Sequence, residues 1–264
     1  LAMALGKALG LGVHRLQFTP DTLPSDILGL TIFNQQSQAF EFHPGPIFTP
    51  ILVGDEINRA TPKTQAALLE AMNERGVTVD GETRQLPEPF LVLATQNPIE
   101  YLGTYPLPES QLDRFLMRIS LGYPAAEEER ALLVSGGADR ALSTMRPVLT
   151  LTELKQAQAL VESVTVAEKL LDYVMALVQR TRSSRDLVLG VSPRGAQGLF
   201  RAVQAHALVA GRPFATPDDV KKVAPAVLAH RVLASATGRY EGTGAGRRER
   251  EAVQKILDEV AVPL

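Results

Sequence analysis

The chain has 264 residues, of which 21% are charged and 45% hydrophobic, with a net charge of −2 and no cysteine. That balance gives no electrostatic reason to expect nucleic acid or an anionic membrane as the main partner. The lack of cysteine excludes disulfides, thiol catalysis and cysteine-ligated metals and suits a reducing compartment, so a cytoplasmic location is expected. No apolar run approaches the ~20 residues of a membrane span, and Leu1 to Gly12 lacks the basic leader and cleavage site of a signal peptide.

Leu1, Leu5 and Leu9 recur at i, i+4, i+8 and predict an opening helix without an N-cap residue. Val13 to Phe18 alternates as a strand does. Thr19 to Pro50 carries five prolines and little periodicity, and reads as a long insertion with one short helix near Ser25 to Leu30. Ile51 to Asp55 is a buried strand by its apolar run. Pro62 to Arg75 is a helix with proline in its first turn and Gly76 at its end. Val77 to Leu86 forms two alternating runs about Asp80-Gly81, which predicts a hairpin. Phe90 to Thr95 is another buried strand, Glu109 to Phe115 a short helix, Leu116 to Leu121 a strand and Glu127 to Ser135 a helix. Gly136-Gly137 and the residues up to Pro147 read as a connection. Beyond it, Thr152–Ser163, Ala167–Thr181, Pro193–Ala210, Pro217–Leu233 and Arg248–Val260 all read as helices with no convincing strand between them. An alternating first half predicts a parallel sheet, and the second half a small helical domain.

The chemistry concentrates at Asp55-Glu56, where an apolar strand stops on two adjacent carboxylates. Asp55 could order Mg²⁺ and Glu56 could polarise a water for attack on a phosphate. The same pair could simply end a strand and solvate a turn. Asn97 ends the neighbouring apolar strand, so both sets of polar groups fall at the carboxyl edge of one sheet, where open α/β folds bind ligands. Asn before Pro98 is also a common turn former. Arg114 could stabilise phosphoryl-transfer charge from a neighbouring subunit; the alternative is a surface pair with Asp113, contributing about 0–1 kcal/mol. Arg194 follows Ser192-Pro193 at a helix start and could reach a phosphate, or be an ordinary helix-start arginine. His14, His43, His206 and His230 lack metal-ligand spacing and read as structural or surface histidines.

Together these segments resemble the MoxR branch of the AAA+ ATPases. The resemblance rests on Val53 to Ala60, Pro62 to Gln65, Leu68 to Met72, Val77 to Glu82, Ala94 to Pro98, Gly103 to Glu109 and Gln111 to Phe115. Phe18 to Asp26, Phe42 to Phe48, Ser192 to Arg194 and Thr216 to Val220 extend it over nearly the whole chain.

The resemblance implies a P-loop NTPase-like AAA+ parallel-sheet core over 1–135, a linker over 136–150 and an all-helical lid over 151–264. It implies that Asp55 and Glu56 are the Walker B pair, with Mg²⁺ at Asp55. Asn97 is then sensor 1, Arg114 the trans-acting arginine finger and Arg194 sensor 2, with ATP and Mg²⁺ as cofactors. The hairpin after Val77 is the one that precedes sensor 1, and the proline-rich segment is the helix-2 insert. The implied activity is ATP hydrolysis coupled to remodelling or maturation of protein partners, often metalloenzymes. The implied assembly is a homo-oligomeric, most often hexameric ring, working with a von Willebrand A-type adaptor. A hairpin tip of Asp80, Gly81 and Glu82, with no lysine, argues against a nucleic-acid partner.

One departure stands out. No Gly-x-x-x-x-Gly-Lys-Ser/Thr loop occurs in these residues. Gly6-Lys7-Ala8 is no substitute, because it lies within a helix and has alanine where Mg²⁺ needs a hydroxyl. The expectation is that the polypeptide carries this loop and its strand upstream of Leu1. If it does not, the alternative is a non-hydrolysing ring scaffold or adaptor.

Overall fold

The computed structural model describes residues 1–97, 103–135, 142–235 and 246–262. In chain order they form α1 (Ala2–Leu9), β1 (Val13–Gln17), α2 (Pro24–Leu28), β2 (Gly29–Asn34), β3 (Ala39–Pro44) and β4 (Ile51–Asp55). A 3-10 turn (Ile57–Arg59) leads to α3 (Pro62–Glu74), β5 (Gly76–Val79), β6 (Glu82–Gln85), β7 (Leu91–Ala94), α4 (Glu109–Leu112) and α5 (Ala126–Ser135). Then follow α6 (Leu151–Val161), α7 (Glu168–Ser183), β8 (Leu187–Leu189), α8 (Pro193–Val209) and α9 (Pro217–Leu228). A second 3-10 turn (Ala229–Arg231), β9 (Leu233–Ala234) and α10 (Arg247–Glu259) complete the order. Two units result: Leu1–Leu107 with Gly122–Lys155, and Pro108–Leu121 with Gln156–Leu264.

The first unit holds a parallel sheet in the order β1-β4-β7. Ile51 and Leu52 of the central strand are fully buried, which is why that strand reads as a continuous apolar run rather than an alternating one. Position 54 must be glycine, because a Cβ there would lie 2.8 Å from the ring of the buried Phe18. Phe18 in turn donates its amide to the Asp55 carbonyl at 2.9 Å, locking the end of β1 to the end of β4. Helix α3 opens on Thr61, whose hydroxyl accepts from the Thr64 amide, followed by Pro62 in the first turn. Its buried face carries Leu68 and Leu69.

Two hairpins project from this unit. The expected one, β5–β6, turns through Asp80 and Gly81, both at positive φ, as its turn type requires. The other, β2–β3, departs from the expectation of an irregular insertion with one helix. Its turn is held by Asn34, whose side-chain oxygen accepts from the Gln36 and Ser37 amides. The two hairpins meet where the Arg84 guanidinium stacks 3.9 Å from the centre of the Phe42 ring.

The second unit is helical. Leu177, Val178, Leu199, Val203, Val220, Val227 and Ile256 meet in its core. It also contains the small antiparallel pair β8–β9, which the sequence reading lacks. Asp219 anchors the start of α9. It accepts from the Thr216 amide and hydroxyl, from Arg212 and, across 2.7 Å, pairs with His206. Burial alone would raise its carboxyl pKa; these partners hold it well below the usual carboxylate range.

The boundaries 1–135, 136–150 and 151–264 differ from these units at one informative stretch. Pro108–Leu121 belongs with the helices, and Gly122–Lys155 with the sheet. The second part follows from contacts near the first helix: the Val148 amide donates to the Ala8 carbonyl at 2.7 Å, and Lys7 Nζ to the Leu142 carbonyl at 2.7 Å. The strand expected over Leu116 to Leu121 is not formed. A strand needs a neighbour to satisfy its backbone. Here the Leu116 carbonyl accepts from Arg231 instead, and the Arg118 amide donates to the Ala226 carbonyl. The connection read at Gly136-Gly137, and Pro98, lie outside the described residues.

Candidate functional site

Parallel pairing sets the site. Register places Gln17 beside Asp55 and Gly54 beside Ala94, so the ends of three strands fall on one edge. Asp55 is the last residue of β4. Its Oδ1 accepts from the Thr95 hydroxyl at 3.1 Å, and its Oδ2 from Arg15 Nε at 2.5 Å. Arg15 is 68% exposed, so it holds this oxygen only as a surface partner does.

Glu56 sits in the left-handed region at φ 57, ψ 49. That conformation costs a residue with a Cβ about 1–2 kcal/mol, and such strain collects at functional sites. Three bonds hold it there. Its amide donates to Thr95 Oγ1 at 3.0 Å, and its carboxylate accepts from Gln17 Nε2 at 2.8 Å and Arg59 Nη1 at 3.1 Å. Thr95 is thus the pivot, donating to the first acid while accepting from the backbone of the second. A glutamate held against strain by both flanking strands is positioned rather than merely solvated.

The turn beyond it is also fixed from within. Gln65, 1% exposed, donates through Nε2 to the carbonyls of Ile57, Ala60 and Tyr105 at 3.2, 3.1 and 2.8 Å. The Tyr105 amide donates to the Asn58 carbonyl. The stretch after Glu56 is therefore pinned by one buried amide side chain.

Of the residues singled out from sequence, the structure brings Asp55 and Glu56 together at the sheet edge and places Asn97 three residues beyond the end of β7. Arg114 and Arg194 both lie in the helical unit. Arg114 is half-buried just after α4, and Arg194 is exposed in the first turn of α8. The alternative of an Asp113–Arg114 surface pair fails: Asp113 pairs with Arg231 at 3.0 Å and accepts from the Ser192 hydroxyl. Gly6-Lys7-Ala8 lies within α1, where a Cβ on Gly6 would run into Val13, so that glycine serves packing.

Four participants escaped the sequence reading. Thr95 was visible only as part of the Ala94-Thr95-Gln96-Asn97 run, and its one-residue overhang beyond β7 is the signal that marks it. Gln17 and Arg15 follow from register alone. Gln65 reads as an ordinary polar residue on a helix until its burial is seen.

Residues 1–117 match the ATPase family associated with various cellular activities, and residues 179–256 match the AAA lid domain. The chaperone MoxR1 of Mycobacterium tuberculosis is 39% identical over 97% of this chain and 69% of its own length. Protein MoxR of Paracoccus denitrificans is 33% identical over 89% of this chain and 76% of its own. The chain belongs to the MoxR branch of the AAA+ ATPases. The uncharacterised protein YeaC of Bacillus subtilis is 45% identical over the whole of this chain and 81% of its own length. A crystal structure of a candidate ATPase from Cytophaga hutchinsonii superposes with a TM-score of 0.86 at 36% identity, covering 99% of this chain and 81% of that one. The MoxR-family assignment carries with it the AAA+ fold, a parallel-sheet core with a helical lid domain.

Proposed function

We propose that this MoxR-family chain hydrolyses ATP with Mg²⁺ and couples the cycle to chaperone-like remodelling of protein partners. The observation that supports the reading most directly is the Thr95 bridge. It fixes two adjacent carboxylate residues, Asp55 and Glu56, on the carboxyl edge of a parallel sheet, with Asn97 two residues beyond Thr95. The donor set suits magnesium, a hard cation that takes one or two carboxylates and leaves its other positions to water and phosphate. Asp55 offers such a carboxylate, and its Oδ2 is covered only by the exposed Arg15. When bound, the metal supplies charge neutralisation at the phosphates.

The chain's own residues do the rest. Asp55 would hold the cation. Glu56 accepts a proton from the attacking water, and its fixed backbone keeps the carboxylate aimed. Asn97 orients that water through its amide. Arg114 acts in trans on the nucleotide of a neighbouring subunit, where such an arginine is worth roughly 10³–10⁵ in rate. Arg194 contributes a further positive group to the phosphates.

A homo-oligomeric ring, most simply a hexamer, follows from a trans-acting Arg114. The chaperone name of the Mycobacterium relative supports protein clients. Metalloenzyme clients, a von Willebrand A-type adaptor and a cytoplasmic location rest on the family resemblance. No described helix is long and apolar enough to cross a membrane.

Mixed assemblies of the full-length polypeptide test the reading. Arg114→Ala subunits mixed with Glu56→Gln subunits should regain hydrolysis, because each supplies what the other lacks. Failure of mixing to restore turnover overturns the trans role. Failure of the full-length polypeptide to bind ATP at all overturns the enzyme reading in favour of a non-hydrolysing scaffold.

A further inference from the structure

The helical unit buries an ion pair that the reading above leaves unused. Arg231 is 5% exposed and sits at the end of the second 3-10 turn. Its guanidinium makes five hydrogen bonds. Nε donates to Asp113 Oδ1 at 3.0 Å, Nη1 to the carbonyls of Leu116 at 2.9 Å and Val227 at 2.5 Å, and Nη2 to the carbonyls of Asp113 at 3.3 Å and Phe115 at 2.6 Å. The preceding residue, His230, donates from Nε2 to the same Phe115 carbonyl at 2.8 Å. The chain is thus gripped at Asp113, Phe115 and Leu116, on both sides of Arg114, while the Arg114 side chain is untouched by the grip.

The grip extends to a second arginine. The Asp113 carboxylate also accepts from the Ser192 hydroxyl at 3.0 and 2.9 Å. Ser192 Oγ in turn accepts from the Gly195 amide at 3.0 Å, capping the helix whose first turn carries Arg194. Gly195 makes room for the clamp, since a Cβ there would lie 2.8 Å from Arg231 Cδ. A buried ion pair of this kind is weak support for stability, because apolar residues of similar volume often do as well. What it supplies is fixed geometry: a planar fork with five donors fits one arrangement of the captured chain.

We propose that Arg231 is a positioning residue that fixes Arg114 and Arg194 in one rigid body, with the Asp113 carboxylate as the shared link. The two arginines then move together, so a shift of the helical unit in one subunit presents or withdraws both at once. The catalytic consequence rests on the ATPase reading; the mechanical one does not.

Two measurements on the full-length protein separate these. The first is amide hydrogen exchange of Arg231→Met and of the double variant Asp113→Asn/Arg231→Met, without nucleotide. Residues 113–118 and the first turn of α8 should exchange at least about tenfold faster in both, with the Leu177–Val178 core unchanged. Unchanged exchange at 113–118 overturns the clamp whether or not the protein is an ATPase. The second is turnover. Misplacing a reacting group by about 1 Å costs on the order of 10²-fold, so Arg231→Met should lower kcat by roughly that factor while nucleotide Kd stays within about threefold. Its effect should vanish in an Arg114→Ala/Arg194→Ala background, since nothing is left to position. Equal loss in both backgrounds, or an Arg231→Met kcat equal to wild type, overturns the catalytic part. Arg231→Lys, which keeps the charge but not the fork, should rescue folding more than turnover; full rescue of turnover overturns the geometric argument. Absence of turnover in the wild-type protein condemns the ATPase reading and leaves the exchange result to decide the clamp.

Discussion

Replacing Gln65 with methionine removes both donors while keeping the side chain's length. The residue is 1% exposed and its Nε2 serves three carbonyls. The Ile57 carbonyl keeps the Ala60 amide at 3.2 Å, so the loss falls on the carbonyls of Ala60 and Tyr105. A lost hydrogen bond is worth about 1 kcal/mol net, and a buried acceptor left bare adds about 1–3 kcal/mol. Partial relaxation of two such groups gives a destabilisation of about 3 kcal/mol. In a domain of 150–250 residues each kcal/mol moves Tm by roughly 2–4 °C, so the sheet unit should melt about 10 °C lower. Thermal unfolding by far-ultraviolet circular dichroism reads this directly, since the chain has no tryptophan to follow. Amide exchange at Ile57 and Arg59 should rise in parallel, reporting the loosened turn after Glu56. A melting temperature within about 2 °C of wild type, with those amides still protected, would refute the view that Gln65 pins this turn.

Thr95→Val keeps the shape but removes the bridge between Asp55 and the Glu56 amide. A hydrogen bond to a charged group is worth about 1.5–3 kcal/mol, so turnover should fall roughly 10- to 100-fold with little change in Tm because Thr95 is exposed; wild-type kcat would remove its role. His230 titrates from 6.5 down to about 4, first because burial disfavours its charge and then because Arg231 and Arg118 oppose it, against the Phe115 carbonyl and Asp113. A lowered folded value means that the unfolded chain takes up the proton first. The neutral histidine's contribution is complete above pH 6.5 and is lost as pH falls through about 4, by about 3 kcal/mol in all. Urea unfolding of wild type and His230→Gln between pH 7 and 4 should show this slope only in the wild type, and a parallel pair of curves would contradict it.

Much of the sheet was legible because β4 is buried, and β7, though only half-buried with Leu91 exposed, is likewise an unbroken apolar run; both end on polar residues. The Asp55-Glu56 pair was legible for the same reason. What escaped is non-local. The β2–β3 hairpin does alternate, as Leu30 to Phe33 and Phe40 to His43 show, but its flanking prolines hide the pattern. The strand expected over Leu116 to Leu121 fails because the amide and carbonyl groups it would offer a neighbour are taken by Arg231 and Ala226. Asp113 invites pairing with its sequence neighbour Arg114, yet its partner lies 118 positions away, a distance no local pattern reports. Thr95 owes its role to register, and a one-residue shift of β7 would turn it to the opposite face.

The central claim is that Glu56 is the base of an ATP-hydrolysing site. Glu56→Gln in the full-length polypeptide tests it most directly, because the amide keeps the acceptor for Gln17 and Arg59 but cannot take a proton. The account predicts ATP affinity close to wild type and turnover reduced by at least about 10²-fold, the range of general-base catalysis. Retained turnover in that variant, with ATP bound, would contradict it.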